Sequence, residues 1–129
     1  MDKPTQASEE YLDTLLRYFE DEISSEAYFY GLAEHFAERE KTILLARVER
    51  RAAEAVRPLL HKYGLEPRQE SVIRDQGKGY VEVHQSYSWH EFMAYIIKRY
   101  PRYLDDFADL ENLAPVRGVI EIFSQTLPQ

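Results

Sequence analysis

The 129 residues suit a single domain, and 44% apolar content is enough to give it a core. A net charge of −7 argues against general affinity for nucleic acid or for an anionic membrane. The chain has no cysteine, which excludes disulfides, thiolate metal sites and cysteine nucleophiles.

Residues 1–8 read as a polar, frayed lead-in. Asp2 and Lys3 have no apolar stretch behind them, so no signal peptide is expected. The longest clean apolar run, Ala27 to Ala33, is far short of the roughly 20 residues of a membrane span. A cytoplasmic location is the default expectation. Ser8 is a suitable N-cap, and Glu9 and Glu10 place negative charge on the positive end of the helix that follows. Apolar residues then recur at Leu12, Leu16, Phe19, Ile23, Tyr30, Ala33 and Ala37, the spacing of a helix with one buried stripe. Glu26 falls within roughly 20° of the stripe's centre, and Glu22 lies at its edge. A carboxylate among apolar neighbours needs partners or a proton, because leaving it charged and alone costs several kcal/mol. Tyr30 or Arg51 is the expected partner of Glu26. Gly31 is expected to admit a neighbouring backbone.

A chain reversal is expected near residues 35–40. The second helical pattern, Lys41 to Tyr63, buries Leu45, Val48, Ala52, Ala55, Val56, Leu59 and Tyr63, with Glu49 on the shoulder of that stripe. Counting outward from the reversal sets Glu26 roughly opposite Glu49. Arg47, Arg50, Arg51, Arg57, His61 and Lys62 form a basic outer face, on which Glu54 can pair with Arg50 and Arg57. Pro58 removes one backbone bond, and Gly64 is a good helix stop.

Residues 65–87 read as a long crossover holding a short helix from Pro67 to about Arg74, with a turn at Gly77-Lys78-Gly79. Ser88 caps a third long helix that buries Trp89, Met93, Ile96, Tyr100, Tyr103 and Phe107 and is kinked at Pro101. Pro115 suits the first turn of a short fourth helix, with Val116, Val119, Ile120 and Phe123 inward. So short a helix leaves apolar surface that a second copy in a homodimer would cover, unless the natural chain is longer.

The expected fold is therefore all-α, an antiparallel four-helix bundle within a single domain. With its inward glutamates it resembles the ferritin-like superfamily, in its rubrerythrin-like branch. That resemblance implies a carboxylate-bridged di-iron or di-manganese site, which needs a Glu from each of two helices and Glu-x-x-His from each of the other two. Glu26, or less well Glu22, resembles the first-helix ligand. Glu49, in Val-Glu-Arg-Arg-Ala, resembles the glutamate of Glu-x-x-His, but Ala52 stands where histidine belongs. The third helix has no carboxylate on its buried stripe, Glu121 on the fourth points away and is followed by Ser124, and His84 and His90 are displaced from the level of Glu26. Two carboxylates alone do not hold two transition-metal ions firmly. The expectation is a ferritin-like binding or assembly module with no cofactor. The alternative is an iron- or manganese-dependent oxidoreductase whose missing ligands come from elsewhere.

Overall fold

The Ser8 hydroxyl accepts a hydrogen bond from the Tyr11 amide at 3.1 Å and starts helix α1 (Glu9–Ala33), as its position before two glutamates requires. The computed structural model describes residues 6–115, which are all-α: α1 is followed by α2 (Arg39–Lys62), α3 (Glu70–Lys78), α4 (Val81–His84) and α5 (Trp89–Leu113). No described helix is long and apolar enough to cross a membrane.

α1 is the element against which the others pack, most extensively α2 and then α3. Because it is covered from more than one side, its buried arc is wider than the single stripe expected. Tyr11, Leu15 and Ile23 are fully buried, whereas Leu12 and Leu16 lie half-buried at the margin. The reversal falls at residues 34–38, overlapping the expected stretch but starting and ending earlier, and α2 returns antiparallel to α1. On α2 the buried face is displaced from the predicted one. Thr42, Ala46, Ala53, Val56, Leu59 and Leu60 are buried, and Val48 is 48% exposed. Val48 follows the buried Ala46 by two residues, about 200° around the helix, so with Ala46 inward Val48 points outward.

α2 ends in a complete left-handed stop. Gly64 has φ +64°, the Leu65 amide donates to the Leu60 carbonyl at 2.9 Å, and the Gly64 amide donates to that of His61. Helix α5 opens with a capping box in which Ser88 and Glu91 satisfy each other's backbone amides. Both Pro58 and Pro101 lie inside continuous helices. The side chains of Tyr100, Tyr103 and Phe107, like the expected fourth helix, lie outside the described residues.

The crossover differs most from expectation. Its helix runs to Lys78 rather than Arg74, so Gly77 lies within α3 and not in a turn. There Gly77 is buried against α1, and a Cβ on it would fall well inside contact distance of the Ser24 carbonyl oxygen. A short-range turn signal (Gly-Lys-Gly) thus marks a close approach of two helix backbones. Gly31 has the related role with a different neighbour, since a Cβ there would meet the Val81 side chain at 2.5 Å rather than any backbone.

Two apolar clusters result. One joins Tyr11, Leu15, Phe19 and Ile23 of α1 to Ala53, Val56 and Leu60 of α2, Ile73 of α3 and Leu110 of α5. The other joins Phe29 and Leu32 to Phe36, Ala46, Val81 and Phe92. Where the two clusters adjoin along α1 lie the buried side chains of Glu22, just before Ile23, and Glu26, which are 3% and 4% exposed.

Candidate functional site

Glu22 and Glu26 are one turn apart, so one face of α1 directs both carboxyl groups into the interior. Their environments differ. Arg50 on α2 grips Glu26 with a two-pronged contact, Nε to Oε2 at 2.9 Å and Nη2 to Oε1 at 2.8 Å. Arg74 on α3 adds Nη1 to Oε1 at 2.6 Å. The same Arg50 also reaches Glu54 at 3.0 Å and Glu70 at 3.1 Å, and Glu54 is in turn bound by Arg57. The result is an ion network that ties α1, α2 and α3 together. Charge-assisted, forked contacts of this kind are the strong ones. They also saturate Glu26: both oxygens face guanidinium groups, a surrounding that repels a cation.

The expected opposition of Glu26 and Glu49 is replaced by another register. Arg50 faces Glu26, whereas the half-buried Glu49 is hydrogen-bonded to Glu22. Of the two expected partners, Arg51 is exposed and the half-buried Tyr30 is not among the side chains bonded to Glu26. One residue along a helix is about 100°, so a small error in the facing angle exchanges one arginine for its neighbour. The predicted pairing of Glu54 with Arg50 and Arg57 on the outer face is present.

Ionising both carboxyl groups of the Glu22–Glu49 pair would set two like charges together, which favours keeping a proton on one of them. Burial pushes the Glu49 carboxyl above its ordinary range, and the hydrogen bond from Glu22 pulls in the opposite direction. A carboxyl group whose folded pKa is raised contributes stability that is fully present below its unfolded value, near 4.5, and lost as pH rises through the folded value. The Glu49 carboxyl therefore contributes more stability in mild acid than at neutral pH, a falling slope opposed by His84, whose lowered pKa removes stability as pH drops below about 6.5. Glu22→Gln keeps a donor for Glu49 without a second charge. It should stabilise the protein at pH 7 by about 1–2 kcal/mol and flatten that slope, read from urea melts between pH 4.5 and 8. An unchanged slope would mean that the pair does not hold a shared proton.

The histidines occupy other ground. His90 is exposed. His84 is 7% exposed at the end of α4, with Nδ1 2.8 Å from the Tyr28 hydroxyl. Its ring lies 4.3 Å from that of Tyr95 and 5.0 Å from that of Tyr87. Arg99 donates to the Tyr95 hydroxyl at 2.7 Å. Burial first, and the charge of Arg99 second, lower the pKa of His84 and favour the neutral ring. This is an aromatic lock that fixes α4 and α5 against α1, and nothing in the sequence spacing announces it.

Among the described residues, no three His, Asp or Glu side chains converge as a metal site would need. The donor set brought together is one carboxyl pair, Glu22 and Glu49, beside a third carboxylate already held by two arginines. Ala52, at the position of the expected histidine, is half-buried. That set does not fit a dinuclear centre. Glu121 and Ser124 lie outside the described residues. Sequence reasoning found Glu26 and missed both its partners. The available signal was weak: Arg50 and Arg74 each lie four residues from an acidic residue, Glu54 and Glu70, at the spacing of a helix-surface ion pair.

The chain matches no family, no curated protein and no solved structure.

Proposed function

We propose that the chain is a non-catalytic helical binding or assembly module, a four-helix bundle of ferritin-like outline without a complete di-metal site. In this reading the protein needs no cofactor and works as a homodimer in the cytoplasm. The observation that carries it is the saturation of Glu26, whose two oxygens are occupied by Arg50 and Arg74. A residue meant to bind metal keeps a lone pair turned toward an open position, and two guanidinium groups do the reverse. The ferritin-like outline is supported by the long antiparallel α1–α2 hairpin, the long α5, and polar side chains midway along the interior of α1.

A second reading is favoured by one feature, the meeting of Glu22 and Glu49 across the hairpin. Without their proton, two hard oxygen donors would face each other. A metal-dependent oxidoreductase of the ferritin-like superfamily would then take its remaining ligands from residues or chains other than those described.

Elemental analysis separates the two. Protein produced with iron and manganese in the medium is expected to carry well under one equivalent of either metal per chain, unchanged by Glu49→Ala. Two equivalents per chain, lost in Glu26→Ala or Glu49→Ala, would establish the second reading and reject the first.

A further inference from the structure

On the outer face of α2, Leu44, Arg47, Val48 and Arg51 follow one another at spacings of three, one and three residues and form a single ridge. The ridge is unlike the rest of the helix. Leu44 is 56% and Val48 48% exposed, and both arginines are exposed. Arg50 and Arg57 are spent in the network around Glu26 and Glu54, whereas Arg47 and Arg51 hold no ion pair among the described residues. Two bare aliphatic side chains beside two uncompensated cations are poorly served by water alone.

The same molecule carries a complementary surface. Glu9, Glu10, Asp13, Arg17, Asp109 and Leu113 line an open groove of about 560 Å³ between the start of α1 and the end of α5, four carboxylates against one arginine. Glu9 and Asp13 are four residues apart on α1, and Arg47 and Arg51 are four apart on α2. Two helices laid side by side therefore bring both pairs into register, one turn apart. Leu44 and Val48 then have the apolar edge of the groove, Leu113, to meet. Within one chain the two surfaces cannot join, since Arg47 and Arg51 lie on the outer face of α2 near its middle, and Glu9 and Asp13 lie at the end of α1 remote from the α1–α2 reversal.

From this complementarity we infer that the α2 ridge docks into the α1–α5 groove of a second copy of this chain. The inference rests on the assembly reading above and names its partner and its surface. So small a patch, joined by exposed charges, makes a weak and salt-sensitive contact rather than a permanent one.

Analytical ultracentrifugation of the full chain over a roughly hundredfold concentration range, at low and high salt, tests it. Self-association is expected at low salt and should fall as salt is raised. The double variant Arg47→Glu/Arg51→Glu and the double variant Glu9→Arg/Asp13→Arg should each weaken it by about tenfold or more, and mixing the two should restore association as a heteromer. Melting temperatures, taken alongside, control for folding. A monomer at every concentration overturns the inference, as does association that both variants leave intact. A ridge variant that melts lower at unchanged mass also overturns it, because the ridge would then be covered by the chain's own residues beyond 115. The outcomes separate from those of the proposed function. Metal-loaded protein that still associates through the ridge rejects the metal-free reading alone, and a metal-free dimer that both double variants leave intact rejects this inference alone.

Discussion

Glu26→Ala is expected to lower the stability of the protein by roughly 2–4 kcal/mol, the loss typical of breaking a buried ion pair from one side. The reason lies in what remains. The carboxylate is nearly inaccessible, and its removal leaves two guanidinium groups, Arg50 and Arg74, facing a small cavity. Their side chains are 29% and 28% exposed. They can turn partly to water, which keeps the figure below the upper end seen for fully buried charges. Arg50 retains Glu54 and Glu70, and the network contracts toward the surface of α2 and α3. For a chain of this size the melting temperature should drop by roughly 8–16 °C. Glu26→Gln, which keeps an acceptor oxygen of the same size, should lose about half as much. Urea melts with a two-state check provide the measurement. A neutral Glu26→Ala would show that the three-helix network contributes nothing net, and would remove the main support for a structural role of this residue.

Gly77→Ala should be comparably damaging, at about 3 kcal/mol, although it adds only one methyl group. Overpacking usually costs about 1–3 kcal/mol because side chains can give way. Here the atom in the path is the backbone carbonyl of Ser24, in the middle of α1, and no rotamer change relieves the clash. α3 must move as a body. That shift would pull Arg74 away from Glu26 and loosen Arg68, whose backbone amide and Nε both donate to Glu20. Hydrogen exchange should then report opening of α3 ahead of the α1–α2 hairpin. Gly79→Ala is the control. It stands at the end of the same helix with a right-handed φ of −63°, and its nearest contact is the Gln76 carbonyl oxygen at 3.3 Å. It should change stability by less than about 1 kcal/mol. Equal effects at the two glycines would contradict the close-approach account.

How much of this was legible beforehand depends on the range of the interaction. Helix starts and stops were readable, because Ser8, Ser88 and Gly64 act on their own backbone within a few residues. The burial of Glu26 was readable too, since the 3.6-residue period fixes which side chains share a face. Its pairing was not. Choosing Arg50 over Arg51, or Glu22 over Glu26 as the neighbour of Glu49, needs the relative rotation of two helices to within a few tens of degrees. The period of one helix carries no information about that rotation.

From its own order of residues the chain determined that it would be helical, roughly where its first hairpin would turn, and that a carboxylate would be buried on the inner face of its first helix. Those are consequences of periodicity and of backbone capping, which act locally. Only the packed structure decided that α3 lies on α1 through Gly77, that Arg74 therefore arrives at Glu26 from residues read as a crossover, and that His84 settles against Tyr28 and Tyr95. Each of those contacts joins residues about 50 positions or more apart, except for His84 and Tyr95, so its partners are set by how closely helix surfaces fit and not by any pattern along the chain.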